Sequence, residues 1–175
     1  MSIIGRSGIL VAIVIVFATE VHASSASRHL HGADWSPSIQ VVPELQADIE
    51  DLLQRSPTFR AQYRRIADSG SIVVGIHVDP RLCGSSFRAR TTFRRYKSGL
   101  IVVAVSIGPG SKQAEWIAHE FEHIIEQLDG RNLTALARAN AKEVWFSGGD
   151  VIETRRAIRA GHAVLEELLQ SRQSR

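Results

Sequence analysis

The sequence predicts one small α+β domain, with two helices before a sheet of about three strands and further helices after it. Two observations lead to this fold class. Apolar residues recur at helical spacing on both sides of the central stretch 72–107, which is itself rich in β-branched residues and interrupted by Gly and Pro. About 150 residues remain after an N-terminal signal, which is enough for one hydrophobic core and too few for two.

The first 23 residues are predicted to be an export signal (1–23). A short basic start precedes the apolar run Ile9–Ala18 and the small-residue cleavage pattern Val21–Ala23. The apolar run is shorter than the about 20 residues of a membrane-spanning helix, which favours a cleaved signal over an uncleaved membrane anchor. We therefore expect an exported protein, periplasmic or secreted, with no stable membrane insertion after cleavage; membrane anchoring through the uncleaved segment is the alternative.

Residues 24–40 are expected to form a flexible polar segment, and the domain is expected to cover 41–175. Within the domain, the apolar pattern from Pro43 to Ala67 predicts two helices with a break at Ser56. Pro57 suits the first turn of the second helix, because its missing N–H would have no partner there in any case. We expect this helix pair to be scaffold.

Three strands are predicted in the centre of the chain. A β-rich run covers Ile72–Val78, and two more, Phe87–Lys97 and Leu100–Ile107, flank Ser98–Gly99 as in a hairpin. The hairpin is basic, which favours a solvated strand edge that resists aggregation over a binding site for an acidic polymer. The basic residues are Arg88, Arg90, Arg94, Arg95 and Lys97.

Composition excludes several kinds of function. Cys83 is the only cysteine, so an internal disulfide and a thiolate metal site are excluded. The formal net charge is a mild +3, and the chain has no recognisable nucleic-acid motif. Together with the predicted export, this means that we expect no nucleic-acid partner.

The main functional signal is the H-E-x-x-H sequence from His119 to His123, inside a run that is predicted as helix over Ser111–Leu128. Helical spacing puts the two imidazoles one turn apart on one face, where both can reach a single Zn²⁺ ion. Glu120 stands beside them, in position to take a proton from water. A separate apolar stripe is expected to face the core and consists of Ile117, Phe121, Ile124 and Leu128.

Catalytic zinc usually has three protein ligands, so a third must come from elsewhere. Glu153 is favoured, because it projects onto the inward face of the predicted last helix, Val151–Gln170, where a carboxylate needs a partner. The alternative is that Glu153 forms a capping box with Asp150 at the start of that helix.

Three other acidic residues are weaker candidates. Glu126 lies on the His face of the same helix but about 10 Å along the axis from His119, so we expect it to orient His123 instead. Asp129 stands at the third-ligand position of the metzincin pattern, which requires Gly where this chain has Glu126. Glu143 follows His123 at a thermolysin-like distance but projects to the flank of its apolar pattern.

These residues resemble the gluzincin class of zinc metallopeptidases, in which a Glu from a later helix completes an H-E-x-x-H site. The wider stretch 118–127, with 153–157 downstream, is also similar to exported bacterial proteins suspected of being such peptidases. The resemblance implies a small zincin-like metallopeptidase domain that acts on a peptide or protein substrate. It also implies a Zn²⁺ cofactor that is held by His119, His123 and Glu153.

The leading hypothesis is therefore zinc-dependent hydrolysis of peptide bonds outside the cytoplasm, with Glu120 as general base. Zincins lay substrate along a strand beside the metal helix, and Leu100–Ile107, which leads directly into that helix, is the candidate for such strand addition. The alternative is that all three strands simply form the sheet against which the helices pack. Two alternatives stay open: a non-catalytic envelope module in which the metal cross-links two helices, and a basic envelope-binding domain whose H-E-x-x-H is accidental. Only the enzyme needs Glu120 and an open coordination position.

Overall fold

The computed structural model describes residues 36, 38–83, 88–110 and 113–173. The predicted signal, 1–23, and most of the predicted flexible segment lie outside these residues. The α+β class is confirmed. The helices are α1 (Pro43–Arg55), α2 (Pro57–Ala67), α3 (Gln113–Leu128), α4 (Leu133–Arg138) and α5 (Arg155–Gln173), and Pro80–Leu82 forms a 3₁₀ turn. The strands are β1 (Ile39–Val41), β2 (Ile72–Val78), β3 (Ala89–Arg95), β4 (Ile101–Ile107), β5 (Val144–Gly148) and β6 (Val151–Thr154).

Four of the strands form one sheet in the order β1-β2-β4-β3. The predicted hairpin is confirmed, because β3 and β4 pair antiparallel, whereas β1 and β4 both run parallel to β2. Strand β1 was not predicted, and it corrects the expectation that all of 24–40 is flexible. It has three residues, too few to show an alternating pattern in the sequence, and pairing with β2 holds it in place.

The helices α1, α2, α3 and α5 share one hydrophobic core with one face of this sheet. Burial alternates along β2 and β4, as expected when only one face of a sheet meets the core. The break between α1 and α2 is at Ser56, as predicted; its side chain accepts a hydrogen bond from the Phe59 N–H at 2.9 Å. No described helix combines the length and apolar character that crossing a membrane requires.

The last helix begins four residues later than predicted. Residues Val151–Thr154 form strand β6, which pairs antiparallel with β5, and α5 begins at Arg155. Gly149, with φ of 56°, lies in the connecting turn next to Asp150. The capping-box alternative is therefore wrong, because Asp150 belongs to a hairpin turn and Glu153 to a strand. A four-residue strand that leads directly into a helix has no periodicity of its own by which the sequence could separate the two.

Helices α3 and α5 approach closely at Gly161. A Cβ on Gly161 would lie 2.9 Å from the Glu115 carbonyl oxygen and 3.5 Å from the His119 Cβ. We expect Gly161→Ala to lower the melting temperature, although alanine is the better helix former by about 1 kcal/mol, because overpacking against backbone costs about 1–3 kcal/mol. Thermal denaturation of both proteins checks this. A Gly→Ala change on a solvent-facing side of a helix would raise the melting temperature. The same rise in Gly161→Ala would contradict the close packing of α3 and α5.

Candidate metal centre

Helix α3 carries two faces with different roles, as the sequence predicts. Ile117, Phe121 and Ile124 are fully buried in the core. His119 and His123 are also buried, with their ring centroids 5.0 Å apart and the ring planes at 78°. Because the histidines are four residues apart on one helix, α3 holds the two imidazoles next to each other without help from any other element.

The third member of the group is Glu153, which comes from β6 and not from a helix. Its Oε1 atom lies 3.2 Å from Nε2 of His119 and 3.6 Å from Nε2 of His123. One donor atom from each residue lies within 4.8 Å of the others. The structure therefore brings together the predicted ligand set, and the group is compatible with a bound metal ion.

The charges of this group are strongly coupled. Burial alone would raise the pKa of Glu153, but hydrogen bonds from His119 and His123 outweigh it and lower that pKa to about 2. Burial alone would lower the pKa of His123, but hydrogen bonds to Glu126 and Glu153 raise it to about 10. A metal ion that binds at neutral pH would therefore have to displace the proton that this raised pKa keeps on His123.

Glu120 lies beside the group and is 5% exposed. Burial raises the pKa of Glu120 above its ordinary value, although the nearby histidines and a hydrogen bond from Thr91 act in the opposite direction. The Thr91 hydroxyl donates to Glu120 Oε2 at 2.6 Å. Thr91 was not singled out in the sequence. The feature of the sequence that could have pointed to Thr91 is its place in a strand of alternating burial, where its side chain lies on the face towards α3.

Glu126 is placed beside His123, as we expected for a residue that orients a ligand. It is completely buried, and its Oε2 atom lies 3.1 Å from Nδ1 of His123. Thr154 donates its hydroxyl hydrogen to the same oxygen at 3.1 Å, and Arg131 donates to Oε1 at 2.9 Å. Neither Thr154 nor Arg131 was identified from the sequence. The Thr154 contact joins residues 28 positions apart, whereas Arg131 lies only five residues after Glu126.

The two alternative ligands lie in ion pairs outside the group. Asp129 pairs with Arg65 and with Arg156, the latter at 2.6 Å. Glu143 lies 3.1 Å from Arg159, and its side chain is 42% exposed. The structure thus places Glu153, and neither Asp129 nor Glu143, next to the two histidines.

The group opens into a cavity of about 560 Å³, within the usual range for ligand pockets. Helix α3 lines it with Trp116 and Gln127 as well as with Glu120 and the two histidines. The six consecutive residues 88–93, almost all from β3, also line the cavity, together with residues of the β5–β6 hairpin. Glu120, the two histidines and Glu153 thus all line one cavity.

The strand that lines the cavity is β3 and not Leu100–Ile107, the candidate for strand addition. Strand β4 is paired with β2 on one side and β3 on the other, so it has no edge left. Within the described residues, β3 is paired on one side only. The Gly108 N–H donates to Arg88 O and the Tyr96 N–H to Leu100 O. By alternation, the backbone groups of Ala89, Thr91 and Phe93 therefore point to the free edge.

The donor set suits a divalent transition metal. Two imidazole nitrogens and one carboxylate oxygen, with an open side for water, are typical of catalytic zinc, although the same donors also suit related ions. Comparisons with protein-family models, with curated proteins and with solved structures find no match to this chain. The residues of the site itself are therefore the basis for assigning a function.

Proposed function

We propose that this protein is a zinc-dependent hydrolase of peptide bonds. The observation that carries the proposal is the cavity lined by the His119–His123–Glu153 group, by the buried Glu120 carboxylate and by β3, one edge of which is unpaired among the described residues. A Zn²⁺ ion held by the three residues would act as a Lewis acid and lower the pKa of water at its open position towards 7. On the basis of the predicted export signal, we place the activity outside the cytoplasm.

Glu120 is the proposed general base. Its carboxylate takes a proton from the attacking water and passes it to the leaving amine, so that no free amide anion has to form. The Thr91 hydroxyl holds one carboxylate oxygen at 2.6 Å, which fixes the side chain and leaves the other oxygen to carry the proton. Burial raises the pKa of Glu120, and a raised pKa makes a carboxylate a stronger proton acceptor, which favours this role.

The free edge of β3 is the proposed binding site for the substrate backbone. An extended peptide can hydrogen-bond to the outward N–H and C=O groups of Ala89, Thr91 and Phe93, as in other cases of strand addition. Thr91 also contacts Glu120, so a peptide on this edge passes directly beside the proposed base. This arrangement favours a peptide or protein substrate over a compact small molecule.

Metal analysis combined with a hydrolysis assay tests the proposal. We expect the purified protein to contain about one equivalent of zinc and to cleave members of a mixed peptide library. A chelator should abolish cleavage, and added zinc should restore it. His119→Ala should lose both metal and activity, whereas His162→Ala, at an exposed histidine outside the group, should keep both. Negligible metal in the wild-type protein would instead support an accidental H-E-x-x-H.

A further inference from the structure

We propose that Thr154 is a positioning residue of the metal centre. It holds Glu153 and His123 in place at the same time. The inference depends on metal binding by the proposed group, but not on the chemistry of peptide hydrolysis. Thr154 is the last residue of β6, directly before α5, and it is completely buried. It hydrogen-bonds both to Glu153 and to Glu126, the carboxylate that contacts His123.

All hydrogen-bonding groups on the Thr154 side chain have a partner. Its hydroxyl accepts from the Ala157 N–H at 3.0 Å, which caps α5, and donates to Glu126 Oε2 at 3.1 Å. The direction of each bond is fixed, because the Ala157 amide can only donate and a carboxylate can only accept. The backbone N–H of Thr154 donates to Glu153 Oε1 at 2.7 Å. This is the carboxylate oxygen that faces both histidines.

The first effect of Thr154 acts through Glu126. Glu126 Oε2 is shared between the Thr154 hydroxyl and Nδ1 of His123, while Arg131 holds the other oxygen. A carboxylate at Nδ1 keeps the hydrogen on that nitrogen and leaves Nε2 as the metal donor. Nε2 of His123 is indeed the atom that faces Glu153. Loss of the hydroxyl would free one constraint on Glu126 and so loosen the ring of His123.

The second effect acts on Glu153 directly. The cap bond to Ala157 fixes the junction between β6 and α5, and so fixes the direction of the Thr154 backbone N–H. That N–H holds the Glu153 carboxylate towards the histidines. A strand that ended freely would let this carboxylate turn towards the cavity, because its side chain is already 24% exposed.

Ser56 provides a matched control elsewhere in the protein. It is also completely buried, its hydroxyl caps α2 by accepting from the Phe59 N–H, and it donates to the carboxylate of Glu167. Neither Ser56 nor Glu167 lines the cavity. The two residues therefore have the same structural role at a helix start, and only Thr154 has the link to the metal group.

The test compares zinc affinity in four proteins by competition with a chromogenic chelator. Thr154→Val keeps the shape but removes the hydroxyl, and it should weaken zinc binding by about 10- to 100-fold, as loss of a ligand-supporting group does. Thr154→Ser should restore affinity to near the wild-type value. Ser56→Ala should lower the melting temperature while zinc affinity stays unchanged. The visible absorption of the cobalt-loaded protein should change in Thr154→Val and not in Ser56→Ala.

An unchanged zinc affinity in Thr154→Val would overturn the inference, and so would an equal loss in Ser56→Ala. If the valine variant does not fold, Thr154→Ala gives the same test. Alanine also removes the hydroxyl, but it does not place a methyl group next to the Glu126 carboxylate as valine does. Failure of the proposed function is separate from these outcomes. A wild-type protein that binds no zinc would remove the metal centre altogether, whereas a protein that binds zinc without cleaving peptides would leave the role of Thr154 standing.

Discussion

Glu120→Gln is expected to lower the rate of peptide hydrolysis by about two to four orders of magnitude while zinc content stays at the wild-type level. The amide has nearly the same size as the carboxylate and can still accept the hydrogen bond from Thr91. It cannot take a proton from water at neutral pH. Because Glu120 is not one of the three grouped donors, its loss leaves metal binding intact. Steady-state kinetics and metal analysis on the same preparation measure both effects.

The matched control is Glu122→Gln, the same change two residues further along α3. Glu122 is also buried, but it pairs with Gln62 and Arg156 and does not line the cavity. Its variant should be less stable and keep its turnover. If the Glu120 variant retained full turnover, Glu120 would have no part in the mechanism. If neither the variant nor the wild type cleaved peptides although both bound zinc, the metal would have the structural role of a non-catalytic module.

Glu153→Gln is expected to weaken zinc binding by more than about 100-fold, which exceeds the loss typical of residues that only support a ligand. A neutral amide is a poorer zinc donor than a carboxylate, and Glu153 is the only acidic member of the group. The strand β6 should still form, because its pairing with β5 uses backbone groups. Competition with a chelator measures the affinity, and circular dichroism checks the fold.

Glu143→Gln and Asp129→Asn serve as controls for this change. Both residues lie in surface ion pairs with arginines, so these variants should bind zinc almost as well as the wild type. Zinc affinity that survived Glu153→Gln and collapsed in either control would show that a different carboxylate is the third ligand. The comparison therefore tests the assignment of Glu153 and not merely the presence of a metal.

The local pattern of apolar and turn residues was enough to predict much of the fold and the part of the site that lies on α3. The break at Ser56, the β3–β4 hairpin and the two faces of α3 all follow from periodicity and turn residues over short stretches. The adjacency of His119 and His123 follows from helix geometry alone. The position of Glu126 beside His123 is equally local, since the two residues lie three apart on one helix.

The rest was decided by contacts between distant segments. Glu153 was predicted to lie on a helix, yet it reaches the histidines from a short strand that exists because β5 pairs with it. Among the described strands, the edge beside the cavity that is free belongs to β3 and not to β4, because β4 is paired with β2 and β3 on its two sides. The bonds from Thr91 and Thr154 link residues 29 and 28 positions apart. Periodicity reports only which face of an element is apolar, so which elements pair, and which side chains they bring together, appears only when the whole chain has folded.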